Sequence, residues 1–290
     1  MKLHTRVILD LLRVRQWSKN FLVYAALIFT NNLFNAVFFL KTTAAFFLLC
    51  IAASSLYIMN DIADYKEDRL HAEKKNRPIA SGAVGKDFAI GLSIILMIIA
   101  LAGGFILNLQ FGIVVAAYLL LTTVYTLKLK HVVILDVFLL SSFYVLRAIA
   151  GAYVISVLIS PWLIVCTTLV TLFLGLAKRR HELSMPDSYK HRRILEEYSI
   201  GLVDQMINVV TASTVIAYSL YTFTSETAAR HNYLMLTIPF VLYGIFRYLY
   251  LMHKRNLGGS PESVFLKDIP MIINIILYVL SVIIIVYFVK

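Results

Sequence analysis

Nine stretches of about twenty mostly apolar residues set the limits on this chain: about 21–40, 42–59, 87–107, 111–127, 132–152, 160–177, 202–222, 232–251 and 270–289. Each is long enough to cross a bilayer, because a helix rises about 1.5 Å per residue and the hydrocarbon layer is roughly 30 Å thick. Lipid offers no partner to a bare N–H or C=O, so a spanning segment must satisfy its own backbone. The expected fold is all-α: one polytopic membrane domain over residues 1–290, built as a bundle of nine transmembrane helices. The joints at 40–42 and 107–111 are tight.

The charges give the bundle an orientation. Of the 27 Lys and Arg, 22 fall on one face: five in residues 1–19, six in 60–86, Lys128 and Lys130, six in 178–193, and Lys254, Arg255 and Lys267. Lys41, Arg230 and Lys290 fall on the other, and Arg147 and Arg247 lie inside predicted spans. The positive-inside bias puts the rich face in the cytoplasm, in a cell (inner or plasma) membrane, with the N-terminus inside and the C-terminus outside. The net charge of +11 then reflects topology and anionic headgroups or substrates. No soluble basic domain exists to carry a nucleic-acid footprint. Residues 1–19 are basic, place Val7, Ile8, Leu11 and Leu12 at helical spacing, and lack a small-residue cleavage site. They read as an interfacial helix rather than a signal peptide. Cys50 and Cys166 lie in predicted spans and imply no disulfide, and the seven His show no zinc spacing.

Fifteen of the 16 Asp and Glu lie on or near the cytoplasmic face, all but Glu226, so chemistry should face the cytoplasm. The densest run is NDIADYKEDRLHAEKKNRPIASG, Asn60 to Gly82, directly after an apolar helix. Asp61, Asp64 and Asp68 are three and four residues apart. A helix that continues past Met59 carries all three carboxylates on one face, with Asn60 one turn from Asp64. Clustered carboxylates in a reduced dielectric are tolerable around a hard divalent cation. Mg²⁺ suits them, since it takes oxygen ligands and is commonly shared with substrate phosphates. Taken alone, a D-x-x-D can equally be a solvated loop of mixed charge.

The full string resembles the first aspartate-rich motif of the UbiA superfamily of intramembrane prenyltransferases, N-D-x-x-D-x-x-x-D-R-x-x-x-x-K-x-x-R-P-x-x-x-G. It reads here Asn60, Asp61, Asp64, Asp68, Arg69, Lys74, Arg77, Pro78 and Gly82. The resemblance implies a cytoplasm-facing cavity in which the motif binds Mg²⁺ and a diphosphate. Ordinary members carry a second motif, D-x-x-x-D, in the loop after span six. Here that loop, Lys178 to Met206, has no such spacing. Its acids are Glu182, Asp187, Glu196, Glu197 and Asp204, and its bases are Lys178, Arg179, Arg180, Lys190, Arg192 and Arg193. Direct phosphate contacts suit it better than a second metal. Further segments are similar to one branch, the decaprenyl-phosphate phosphoribosyltransferases: RVRQWSKNFLVYAAL (Arg13–Leu27), YTLKLKHVVILDVFLLSSFYVLRAIAGA (Tyr125–Ala152), LAKRRHEL, EYSIGLVDQM and GGSPESVFLKD. That branch moves 5-phosphoribose from phosphoribosyl diphosphate onto a polyprenyl phosphate and releases diphosphate.

The resemblance implies roles for particular residues. Asp61 and Asp64 would hold Mg²⁺, with Asn60 and Asp68 completing or orienting the shell. Arg69, Lys74 and Arg77 are expected on phosphates, with Lys128, Lys130, Lys178, Arg179 and Glu182 as further substrate contacts. Arg15, Gln16, Lys19 and Asn20 sit where a lipid headgroup would arrive, and Trp17 reads as an interfacial anchor. Asp136 could touch a metal-bound water or a ribose hydroxyl. Arg147, three turns on, either faces the interior with it or snorkels outward. Arg247 reads as snorkelling near the inner end of its span. His71 lies within the motif, and Gly258, Gly259 and Ser260 form either a phosphate nest or a turn. Two other functions stay open: a prenyltransferase of the same superfamily acting on an aromatic or other small acceptor, and a lipid or ion transporter. Assembly as a homo-oligomer is left open too.

Overall fold

A computed structural model describes residues 5–70, 74–185, 193–231, 233–255, 257, 259, 264–265 and 267–289. His71, Asp187, Lys190, Arg192, Gly258 and Ser260 lie outside the described residues. Every regular element among the described residues is helical: α1 (Thr5–Leu11), α2 (Ala25–Phe29), α3 (Ala36–Ala63), α4 (Tyr65–Leu70), α5 (Lys86–Leu107), α6 (Leu109–Leu127), α7 (Leu135–Val154), α8 (Pro161–Leu183), α9 (Ile200–Thr224), α10 (Glu226–Arg230), α11 (Ile238–Arg255) and α12 (Ile269–Phe288), with short 3₁₀ segments between them. Polar residues cap the long helices where the chain re-enters them. Asn35, Asn108, Ser199 and Asp268 each accept a backbone N–H of the first turn, worth about 1 kcal/mol per cap.

Among the described residues eight helices, not nine, are long and apolar enough to cross a membrane. The expected span 21–40 is the exception. Its first part belongs to a 3₁₀ segment, Val14–Tyr24, that runs into α2, and its last part to the start of α3. The segment still runs from one end of the bundle to the other. Arg13 at its head pairs with Asp61 in the last turn of α3, Asn20 meets Cys50, and Tyr24 meets Thr43 near the start of α3. Beyond it, the carbonyls of Leu27 and Ile28 accept from Tyr287 at the tail of α12. A 3₁₀ helix rises about 2.0 Å per residue, so eleven such residues plus the five of α2 cover roughly 30 Å. A hydropathy window that assumes an α rise misplaces this segment. Gly151 of α7 lets it in, since a Cβ there would lie 2.0 Å from the Val23 carbonyl oxygen.

The expected interfacial helix over 1–19 is likewise shorter. It is α1, it ends at Leu11, and Arg13 turns the chain through a left-handed conformation (φ 50°). Leu11 packs with Ile58, Ile79, Val84 and Ala89 to close the end of the bundle that carries Asp61. One core gathers around the Val14–Phe29 stretch, α3 and α5–α7, and a second joins α7, α8, α9 and α11. Lys130 ties the end of α3 to the α6–α7 connection, and Arg179 ties the end of α8 to the start of α7.

Candidate functional site

The acid run keeps helical register across the join of α3 and α4. The Asp64 N–H bonds the Asn60 carbonyl and the Asp68 N–H bonds the Asp64 carbonyl, both at 2.9 Å. Asp61, Asp64 and Asp68 therefore stay on neighbouring turns. The chain then doubles back. Ile79, Ala80 and Val84 are buried, and Gly82 supplies the positive φ (79°) of the turn. This anchors the loop so that Arg77 points back at the acids. Its NH1 bonds Asp61 Oδ1 at 3.0 Å and Asp68 Oδ2 at 2.6 Å. Arg13 donates to the same Asp61 oxygen and lies over the Tyr57 ring at 5.0 Å. Lys130, from the α6–α7 connection, donates to Asp64 Oδ1 at 2.9 Å, and Asn60 Nδ2 to Asp64 Oδ2 at 3.0 Å.

Other basic residues of the run stand further out. Arg69 is exposed and bonds Tyr65, whose ring also carries the Lys86 ammonium at 3.5 Å. Lys74, Lys128 and Arg15 are exposed, and Lys19 is half-buried on the 3₁₀ segment. The donors fit a hard divalent ion in kind: three carboxylates and an amide on adjacent turns. Among the described residues no three His, Cys, Asp or Glu side chains converge on one point. Basic side chains hold the carboxylates instead.

A second acidic centre lies beyond the α6–α7 connection. Asp136 is completely buried, and both its oxygens are taken: Arg179 Nε donates to Oδ2 at 2.7 Å and Tyr198 OH to Oδ1 at 2.8 Å. Tyr198 OH also accepts the Ile134 N–H at 2.6 Å, fixing a β-branched residue at φ 66°. Burial pushes the Tyr198 phenol up to about 12, so it stays a donor at any ordinary pH. Arg179 is 1% exposed, its NH1 bonds Glu182, and its NH2 has no hydrogen-bond partner among the described residues. Asp136 is thus a strut between α7 and α8 and has no open carboxylate oxygen. Glu182 pairs with Arg179, three residues before it on α8, and Lys178 is half-buried.

Arg147 faces the interior and does not snorkel. It bonds Asn20 at 2.6 Å, the Phe143 carbonyl at 2.6 Å and Tyr118 OH at 2.8 Å, lashing the 3₁₀ segment to α6 and α7. Asn20 is therefore buried, away from any headgroup, and Trp17 bonds Ser54 at 3.1 Å. Arg247 makes a forked pair with Asp268 at 3.0 and 2.8 Å. Sequence reasoning gave no role to Arg13, Tyr57 or Tyr198. Their partners lie in other elements, and no spacing along the chain announces them.

The UbiA prenyltransferase family model matches residues 21–276. Decaprenyl-phosphate phosphoribosyltransferase of Mycolicibacterium smegmatis is 32% identical over 271 residues, covering 88% of this chain and 85% of the relative. The protein of the same name from Corynebacterium glutamicum is 30% identical over 266 residues, covering 89% and 80%. In fold, the chain is similar to a UbiA homologue from Archaeoglobus fulgidus solved with DMAPP and Mg²⁺: TM-score 0.71, 18% identity, covering 95% of this chain and 98% of that one.

Proposed function

The chain belongs to the UbiA prenyltransferase family, and from that premise we propose that it moves 5-phosphoribose from phosphoribosyl diphosphate to a polyprenyl phosphate, decaprenyl phosphate being the acceptor its relatives are named for. It is an integral membrane protein and a transferase. The observation that carries the reading is the meeting of Asp61, Asp64 and Asp68 with Arg13, Arg77 and Lys130 at one helix end. Acids suited to a metal and bases suited to phosphates share one place.

Asp61, Asp64 and Asp68, with Asn60, would hold Mg²⁺. When bound, the ion supplies charge neutralisation to the diphosphate leaving group. Arg77 bridges two of the acids and can turn its remaining N–H groups to phosphate oxygens, as Lys130 can from the α6–α7 connection. Arg69, Lys74 and Lys128 lie further out, where they meet an arriving anion. The lipid phosphate oxygen attacks C1 of the ribose, the C1–O bond to diphosphate breaks, and diphosphate leaves with the electron pair. That nucleophile is already anionic, so no side chain must take a proton. The work of the protein is positioning and electrostatics. Arg15 and Lys19, on the 3₁₀ segment beside Arg13, are suited to the lipid headgroup. Arg179, fixed by Asp136 and Glu182, holds the end of α8 and with it Lys178.

The charge split places the acid-bearing end in the cytoplasm. A reporter fused at residue 188 should read cytoplasmic and one at Lys290 external; a cytoplasmic Lys290 overturns the orientation. The reaction is tested with purified protein, Mg²⁺, decaprenyl phosphate and phosphoribosyl diphosphate. Diphosphate should appear only with both substrates and stop in chelator. Turnover of prenyl diphosphate with an aromatic acceptor instead would move the reading to the other family reaction. Flux in liposomes with no turnover of either pair would make the protein a transporter.

A further inference from the structure

The cations of the acid cluster are not equally committed. Arg77 NH1 is shared between Asp61 and Asp68 and ties two turns together. Arg13 meets one carboxylate, Asp61, and its side chain keeps 21% of its exposure. Lys130 pairs with Asp64, and both keep about a fifth. The Arg179–Asp136 pair, at 1% and 0%, has no such room. Asp61 Oδ1 carries two guanidinium groups at once, more positive charge than one carboxylate balances. Among the described residues of the cluster three carboxylates are paired with three cations, a formally neutral set. A divalent cation added alone would bring uncompensated charge into a partly buried place, against Arg13, Arg77 and Lys130. A diphosphate alters that balance, since its oxygens are acceptors for those same side chains. Tyr57 is one turn from Asp61 on α3, and its ring lies 5.0 Å from the Arg13 guanidinium, a second contact that does not depend on the carboxylate.

We propose that Arg13 and Lys130 are tethered counter-ions: they hold Asp61 and Asp64 against a lone divalent cation, and release them to it when a diphosphate offers both side chains new acceptors. The inference rests on the metal–diphosphate reading above and adds that metal and diphosphate bind together, through an exchange of partners by these two residues.

The test is equilibrium dialysis of the purified full chain with Mn²⁺ as the metal probe, with and without inorganic diphosphate, counting the excess metal on the protein side. Wild type should hold Mn²⁺ at least about tenfold more tightly with diphosphate present, the equivalent of one charge-assisted hydrogen bond. Arg13→Gln and Lys130→Gln should each bind Mn²⁺ alone about tenfold more tightly, and Mn²⁺ with diphosphate about tenfold more weakly. Arg13→Lys should return both constants toward wild type. Arg247→Gln removes the same charge beside Asp268 and should move neither. The opposite signs are the decisive readout, because a merely structural role moves both constants the same way. A shift of both in one direction, or no shift with metal alone, overturns the proposal while the site reading stands. A wild type that takes up no Mn²⁺ even with diphosphate overturns both.

Discussion

Two acidic centres lie on either side of the α6–α7 connection, and they are built for different purposes. At Asp61, Asp64 and Asp68 the basic partners come from three separate loops or segments and remain about one-fifth to one-quarter exposed. At Asp136 the partners are a 1%-exposed arginine and a buried tyrosine, and both oxygens are satisfied. The same residue types give a centre that can trade partners in one place and a rigid clamp in the other. The difference lies in how much water and how much room the tertiary fold leaves around the charge. A buried pair loses more by being broken than an exposed pair contributes by being made.

That contrast can be broken by substitution, starting with the clamp. Asp136→Ala takes from the buried Arg179 its one fully buried counter-ion and leaves it only the part-exposed Glu182, which should cost about 3–5 kcal/mol of stability, read as a large drop in melting midpoint or loss of folded protein in detergent. Asp61→Asn or Asp64→Asn should do the opposite. Each keeps the melting midpoint near wild type while turnover falls by more than the roughly 10–100-fold that an outer-shell partner of a metal costs. Full activity of either variant, or of wild type in chelator, would remove the metal from the mechanism. Arg77→Ala loses charge-assisted bonds and should raise the KM for phosphoribosyl diphosphate about ten- to a hundredfold, with Lys178→Ala following at a smaller increase in the same steady-state assay.

The smallest effect sharpens the clamp itself. Tyr198→Phe removes one hydrogen bond to Asp136, worth about 1 kcal/mol, and should lower the melting midpoint slightly without touching KM. Its pH dependence has a fixed sign. The folded-state phenol is pushed up from 10.0 to about 12, so its contribution is whole below about pH 10 and is lost as pH rises through that window. The gap between wild type and Tyr198→Phe should therefore narrow only at strongly alkaline pH. A gap that closes near neutrality would assign the stabilisation to another group.

Much of the acid centre was legible in advance because it is local. Asp61, Asp64 and Asp68 recur at helical spacing, and the helix does carry them past Met59 on neighbouring turns. Arg77 is near enough in sequence to belong to the same motif. Arg13 and Lys130 reach the acids from 48 and 66 residues away, and Tyr198 reaches Asp136 from 62. No periodicity connects such positions. Asp136 and Arg147 stand out in the sequence as charges within a span, yet what each one touches depends on which helix faces it.

The sequence by itself determined that this chain is an all-helical membrane protein of the UbiA family with an acid-rich helix end. Those properties follow from the transfer of local segments into lipid and from a motif within 23 consecutive residues. Only the tertiary structure shows that residues 14–24 run as a 3₁₀ segment and lie against α7, where Gly151 leaves room for the Val23 carbonyl. It also decided which cation meets which carboxylate. Hydropathy measures what a segment gains by leaving water; an ion pair depends on where two distant segments come to rest against each other.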